Sequence, residues 1–160
     1  MGPSLLPYFE WCEASALGQA VRTSVWLFPV IESTHLLGLS LLGGAVLIVD
    51  LRLLGLMLRD HPISTLAAGA RPWLVGGLLW MGATGFLLFM SEAVKCYHNP
   101  SFWVKMTTLP VALAFTFLVR QRVAMREGFS TSWRSRLLGG TSIALWFTVA
   151  AAGRWIGFSS

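Results

Sequence analysis

Long apolar stretches separated by short polar connections dominate the chain. The longest stretch, residues 25–58, carries no charge between positions 36 and 49. As one helix it would measure roughly 50 Å, more than the roughly 30 Å hydrocarbon core of a bilayer. Proline removes a hydrogen bond inside a helix and kinks it, so Pro29 is expected to separate a pre-membrane turn from the span. The pattern predicts a first membrane span over about 30–58.

Three further apolar stretches predict spans over about 72–97, 100–122 and 137–157. Pro72 and Pro100 are expected at the first helical position of the second and third spans, where a missing N–H costs nothing. The pattern therefore predicts an all-α integral membrane four-helix bundle.

The first 24 residues are more mixed than the rest, so the chain divides into an N-terminal segment, 1–24, and a bundle, 25–160. An amphipathic segment with aromatic residues is typical of a helix lying at the membrane surface. We expect such a short interfacial helix over about 5–21, with Tyr8, Phe9 and Trp11 at headgroup level. A frayed tail is the alternative.

Composition excludes an ordinary soluble domain. Of the 160 residues, 55% are hydrophobic and 12% charged, whereas about a quarter of a soluble domain is charged. The formal net charge of +5 would suggest an acidic partner in a soluble protein. In this chain the distribution of charges explains it, so nucleic acid is not expected as a partner.

Basic residues are divided unequally between the two ends of the predicted spans. The first and third connections with their flanks hold eight: Arg52, Arg59, Arg71, Arg120, Arg122, Arg126, Arg134 and Arg136. The side of the termini holds four: Arg22, Lys95, Lys105 and Arg154. Because basic residues concentrate on the cytoplasmic side, both termini are predicted to be periplasmic, in a multi-pass protein of the bacterial inner (plasma) membrane.

Two pairs of side chains are candidates for contact near the membrane surfaces. Cys12 and Cys96 both fall on the predicted oxidising side, where disulfides persist. They either form a disulfide or remain two free thiols, since sequence does not give the distance between them. Asp50 and Arg52 are expected to pair with each other at the opposite interface.

The first span carries two ionisable groups on one helical face, Glu32 and His35. A charged group at the bilayer centre costs roughly 2.5–3.5 kcal/mol on insertion scales, so such groups usually face the protein interior and mark a functional site. Histidine is a common ligand of metals and of haem. His35 and His98 are therefore predicted to bind one haem b or a copper ion, with Lys95 and Arg154 placed to pair with haem propionates.

Three functions follow as hypotheses. The first is a small membrane cytochrome that passes electrons between a periplasmic redox protein and the quinone pool. The second is copper binding or transport by the same histidines. The third is a non-catalytic anchor or assembly subunit whose glycine-rich faces bind partner helices, or a second copy, while His35 serves as a hydrogen-bonding contact between helices. Whether the protein is an enzyme is left open.

Three motifs carry a family resemblance: His35-Leu36-Leu37-Gly38 with Gly43-Gly44, Tyr97-His98-Asn99-Pro100-Ser101-Phe102-Trp103-Val104-Lys105, and Ala152-Gly153-Arg154-Trp155-Ile156-Gly157. They resemble a family of small bacterial four-span membrane proteins, domain of unknown function 6644. A histidine opening a Leu/Gly-rich span, and a later span with an early lysine, are more distantly similar to the copper-resistance protein D membrane family. That similarity implies a copper- or haem-associated bundle facing the periplasm.

Overall fold

The computed structural model describes residues 5–126, 128 and 132–158, which are helical throughout apart from short connections. The helices are α1 (Leu6–Ala14), α2 (Ala16–Thr23), α3 (Leu27–Leu53), α4 (Ile63–Ser91), α5 (Ala93–His98), α6 (Pro100–Ala114), α7 (Gln121–Ala124) and α8 (Trp133–Phe158). A π-helical segment, Phe115–Arg120, joins α6 to α7. The predicted all-α class is confirmed.

Three helical stretches are long and apolar enough to cross a membrane: Leu27–Leu53, Ile63–Ser91 and Pro100–Ala124. The chain is therefore a membrane protein by the length and composition of these helices. The fourth long helix, α8, has 26 residues but carries arginines at both ends and falls outside this group.

Several helix ends differ from the predicted ones. The first long helix starts at Leu27, so Pro29 lies in its first turn, where proline is tolerated. It stops at Leu53 rather than near 58, because Gly55 (φ 73°) and Leu58 (φ 54°) adopt left-handed conformations that end a helix.

The second long helix begins at Ile63, nine residues before Pro72, which therefore lies inside α4 instead of at its first position. This helix ends at Ser91, where Glu92 leaves the helical region with φ −135°, and the short α5 follows. The predicted 72–97 helix is thus two helices. Asn99 caps α6 as expected, since its Oδ1 accepts the Ser101 N–H at 2.9 Å.

The N-terminal segment forms two short helices instead of one helix over 5–21. Ser15 is extended (ψ 153°), and its Oγ accepts the Gly18 N–H at 3.1 Å, so it ends α1 and caps α2. Both helices pack on the long helices. Phe9 of α1 contacts the Phe89 and Phe102 rings edge-on, at centroid distances of 5.5 and 6.0 Å, and α2 packs on α4. We call this the α5 end of the bundle, and the opposite end the Arg120 end.

The long helices pack as two pairs, α3 with α4 and α6 with α8, and the pairs join through α3 and α8. Small residues allow close approach: a Cβ at Gly77 would come within 3.2 Å of the Leu42 backbone. Between the pairs, α4 and α6 pack little against each other. Large apolar side chains such as Leu37, Leu79 and Phe147 are exposed on the outside, as expected of a surface that faces lipid.

Candidate functional site

The half-buried His35 ring lies between α3 and α4, where its Nδ1 is 2.7 Å from the hydroxyl oxygen of Thr84. That hydroxyl also lies 2.7 Å from the backbone oxygen of Trp80, to which it donates its single proton. In this arrangement the Thr84 oxygen accepts from His35, which assigns the ring proton to Nδ1. The Nε2 atom of the neutral ring keeps its lone pair, which is the form that binds metals.

Backbone geometry around His35 is held by its neighbours. The Trp80 indole N–H donates to the Thr34 carbonyl at 3.0 Å, which ties α4 to α3 one residue before the histidine. Gly38 makes room for that indole, because a Cβ there would come within 2.6 Å of it. Gly85 makes room for the imidazole, since a Cβ there would lie 3.2 Å from Cε1. The ring position is thus set by packing on two sides and by one hydrogen bond.

A third helix brings Lys105 to the same region. Its positive charge lies within electrostatic range of His35 and of Cys96. The side chain runs along Gly153 of α8, where a Cβ would be 3.5 Å from Nζ. Within the described residues, this ammonium group has no carboxylate at salt-bridge distance. No described residue therefore supplies a counter-charge to this half-buried cation between membrane helices.

The predicted site residues are distributed differently from this cluster. His35 lies inside it, and Glu32 is half-buried one turn earlier on the same helix. His98 is exposed on α5, with its ring perpendicular to that of Tyr97 at 5.0 Å. Lys95 pairs with Glu92 at 3.7 Å. The exposed Arg154 places its guanidinium 4.4 Å from the centre of the Phe158 ring.

The sequence placed Lys105 on the side of the termini, but the pairing with haem propionates was assigned to Lys95 and Arg154. Thr84 was missed entirely, because one threonine in an apolar helix gives no signal. His35 and Thr84 are 49 residues apart in sequence, and they meet only because of the rotation and register of α3 against α4.

The two cysteines are free thiols, Cys12 half-buried on α1 and Cys96 buried on α5. Burial, reinforced by the nearby Glu92 carboxylate, raises the pKa of Cys96 to about 11, and Lys105 and Lys95 oppose this shift. The structure therefore gives the free-thiol alternative rather than the disulfide.

Cys96 is expected to resist alkylation at neutral and mildly alkaline pH. Its thiolate is a small fraction of the population well below pH 11, and the thiolate is the reactive form. With iodoacetamide at pH 8, mass spectrometry should find Cys12 labelled first and Cys96 labelled at least tenfold more slowly until the protein is unfolded. Equal labelling rates in the folded protein would contradict this environment for Cys96.

A second polar centre lies at the Arg120 end, where the side chains of Asp50 and Arg120 are 0% and 1% exposed. Arg120 donates its Nε–H to Asp50 Oδ1, and its Nη2 donates to the Val46 carbonyl at 2.8 Å. The Ser142 hydroxyl of α8 lies near the same carboxyl group. Among the described residues, Asp50 Oδ2 and Ser142 Oγ are the buried side-chain polar atoms that lack a hydrogen bond.

The expected pairing of Asp50 with Arg52 is replaced by this cross-bundle pair. Arg52 turns instead toward the α3–α4 connection, donating to the carbonyls of His61 at 2.9 Å and Arg59 at 3.4 Å. In the π-helical segment a backbone N–H bonds to the carbonyl five residues earlier instead of four, and such segments are frequent at functional sites. Here it ends at Arg120, whose side chain crosses to α3.

Residues 8–159 match the model of a family described as "Family of unknown function (DUF6644)". The match covers nearly the whole chain and confirms the family resemblance of the three motifs. Comparison with curated proteins and with solved structures finds no match. The more distant similarity to the copper-resistance protein D family gains no support from these comparisons.

Proposed function

We propose that this chain, which belongs to the family of unknown function DUF6644, is a small electron-transfer protein of the bacterial membrane that binds one haem b at His35. The observation that carries the proposal is the hydrogen bond from His35 Nδ1 to Thr84, which leaves Nε2 as a free lone pair. Metal-ligating histidines usually donate their other ring N–H in this way, because the bond fixes the tautomer and the ring orientation.

Lys105 supports haem over a bare metal ion. An ammonium group between membrane helices needs an anionic partner, and haem offers carboxylate groups as well as an iron that accepts an imidazole nitrogen. A copper ion would instead be repelled by the Lys105 charge that reaches His35. Across the described ranges, no group of three or more His, Cys, Asp and Glu side chains is arranged to hold a metal ion. Copper is therefore the weaker alternative.

We place the flat ligand beside His35 and Lys105, toward the side where α4 and α6 pack little against each other. His35 lies on α3 and Lys105 on α6, and both side chains are half-buried. When bound, haem would supply one-electron chemistry. The chain's own part is to present Nε2, to pair with a propionate through Lys105, and to surround the group with apolar side chains that set its potential.

His98 would supply a second protein ligand to the haem iron; it is exposed on α5, so its role is tested separately. Lys105 replaces Lys95 as the proposed propionate partner, because Lys95 is already paired with Glu92. Arg154 and Glu32 remain proposed neighbours of the haem on the α5 side.

The proposed topology has four spans, with α8 as the fourth, in the bacterial inner membrane. Its support is the packing of α8 against α3 and α6 and the excess of arginines at the two connections of the Arg120 end. Both termini would then be periplasmic, the haem would lie near the periplasmic side, and the proposed partners are a periplasmic redox protein and the quinone pool.

The decisive experiment is the absorption spectrum of detergent-purified protein from haem-replete cells, oxidised and then reduced with dithionite. We expect a Soret band with sharp reduced α and β bands, and its loss in His35→Ala. Thr84→Val removes the hydroxyl with little change of volume, so haem affinity should fall about 10- to 100-fold without loss of folding. The exposed His61→Ala is the matched control and should leave the spectrum unchanged.

His98→Ala tests the second ligand separately. Loss of the sharp reduced bands would make His98 a ligand of the haem iron, whereas a retained spectrum would leave haem at His35 and move the second ligand elsewhere. A colourless wild-type protein after haem-replete expression, with no haem taken up on addition of hemin, would overturn the proposed function.

A specific observation favours one second candidate, a membrane assembly subunit. Gly44, Gly76 and Gly82 lie on the surface with nothing within 4 Å of a Cβ built there, although glycine inside a helix costs about 1 kcal/mol relative to alanine. Such positions suit the close approach of a partner helix. Gly82→Leu would then break a cross-linked complex in native membranes, and His35→Ala would leave it intact.

A further inference from the structure

An apolar groove of about 480 Å³ runs between the C-terminal part of the third long helical stretch and the start of α8. Its walls are formed by Val119, Val123, Leu137 and Leu138, with Trp133 and Arg134 at one end. Thr141 closes the lining on α8. The groove lies on the surface of the membrane-spanning part, where a lipid chain is the available apolar material.

Positive charge is concentrated around this groove. Between positions 119 and 141 the sequence holds five arginines and one acidic residue, Glu127, which lies outside the described residues. Arg120 turns inward to Asp50. The other four, Arg122, Arg126, Arg134 and Arg136, are exposed. The positive charge around the groove therefore favours an anionic ligand.

The end of the groove has the composition of a membrane interface. Trp133 is 68% exposed, and the Arg134 guanidinium lies 5.7 Å from the centre of its ring. Tryptophan and arginine at the start of a membrane-associated helix are typical of the headgroup level. Basic pockets between membrane helices bind the headgroups of anionic lipids. The apolar walls thus suit an acyl chain, and the basic, aromatic end suits an anionic headgroup.

A second groove along the same pair of helices provides an internal comparison. It measures about 380 Å³ and is lined by residues that include Val104, Phe147 and Thr148. Nearby cations are fewer: Lys105 runs along Gly153 and the exposed Arg154 lies over the Phe158 ring. Both grooves are apolar, but they differ in the positive charge around them. Comparing them therefore distinguishes selective binding of anionic lipid from general contact with lipid.

We propose that the groove between Val119–Val123 and Leu137–Thr141 binds one anionic phospholipid, with an acyl chain along the apolar walls and the phosphate beside Arg134. The site is independent of haem binding at His35. It would tie the Arg120 end of the bundle to the leaflet that carries anionic lipid, and it would hold α8 against the rest of the bundle.

The test compares phosphatidylglycerol with phosphatidylcholine of the same acyl chains, added to the full-length detergent-purified protein. Native mass spectrometry counts the retained lipid, and thermal unfolding reports its effect on Tm. We expect phosphatidylglycerol to remain bound and raise Tm, and phosphatidylcholine to do neither. Arg134→Gln should weaken binding about fivefold, since one basic residue near a membrane surface contributes about that factor.

Two threonines seven residues apart on α8 give matched groove variants. Thr141→Trp fills the proposed groove and should abolish the Tm shift, and Thr148→Trp fills the comparison groove and should leave it unchanged. Arg71→Gln, an exposed arginine on α4, is the charge control. If Thr141→Trp lowers the basal Tm, Arg134→Gln at its exposed position still decides the question.

Three outcomes would overturn the proposal: equal retention of the two lipids, full phosphatidylglycerol binding in Thr141→Trp, or an equal effect of Arg71→Gln and Arg134→Gln. Inorganic phosphate is added alone in a further arm. A Tm shift with phosphate equal to that with phosphatidylglycerol would identify a site for the free anion and would also contradict a lipid site.

Discussion

Asp50→Ala is expected to lower the free energy of unfolding by about 3–5 kcal/mol, because it leaves the Arg120 guanidinium buried without its counter-charge. Arg120→Ala should cost a similar amount for the converse reason. Both side chains are almost completely inaccessible, and the ion pair joins α3 to the π-helical segment. Reversible unfolding in mixed micelles, followed by circular dichroism, measures the loss.

A double variant separates the cost of an unpaired charge from the net value of the pair. Asp50→Leu combined with Arg120→Met removes both charges and keeps apolar volume, so it should be much less harmful than either single alanine. Glu92→Ala is the matched surface control, because the Glu92–Lys95 pair is about one-third exposed and such pairs contribute about 0–1 kcal/mol. Single variants at Asp50 and Arg120 no worse than Glu92→Ala would refute a buried pair.

Gly139→Ala is expected to destabilise the protein by about 1–3 kcal/mol, the usual cost of overpacking. A Cβ at this position would lie 2.8 Å from the Asp50 carbonyl oxygen and 3.1 Å from Leu53 Cβ, so α8 would have to move away from α3. Such a movement would also disturb the approach of Ser142 to the Asp50 carboxyl group. Thermal unfolding in detergent should show the lower Tm.

The neighbouring Gly140 is an unusually close control. A Cβ at Gly140 meets nothing within 4 Å, and the residue is exposed. Gly140→Ala should therefore be neutral or stabilise the helix by up to about 1 kcal/mol, since alanine is the better helix former. Opposite effects of the same substitution at adjacent positions are the expected result. Equal effects would mean that α8 does not pack on α3 through this face.

Helix ends show where local sequence was sufficient and where it was not. The Asn99-Pro100 start of α6 was predicted correctly, because a side-chain cap and a first-turn proline act within a few residues. The Ser15 cap also acts within a few residues, yet one interfacial helix over about 5–21 was expected and the break between α1 and α2 was missed. The start of α4 at Ile63 could not be read from Pro72, since the preceding residues form helix by packing against α3 and α7.

The candidate site was predicted in part. His35 was identified because an ionisable group in an apolar span is conspicuous by its cost. Thr84 and the partner of Asp50 were not identified, because both depend on which helix lies opposite. The expectation of an Asp50–Arg52 pair illustrates the difficulty: two residues on one helix are close in sequence, but the buried partner came from 70 positions away.

Sequence by itself determined that this protein is an all-helical membrane protein of its family, since the length and apolarity of a span are local properties fixed by the bilayer. It also determined which ionisable residues lie among the apolar stretches. Tertiary structure alone decided the partners of two of those residues: Thr84 for His35 and Arg120 for Asp50. Such pairings depend on the rotation and register of whole helices, which are set by the summed packing of many small side chains and not by any motif.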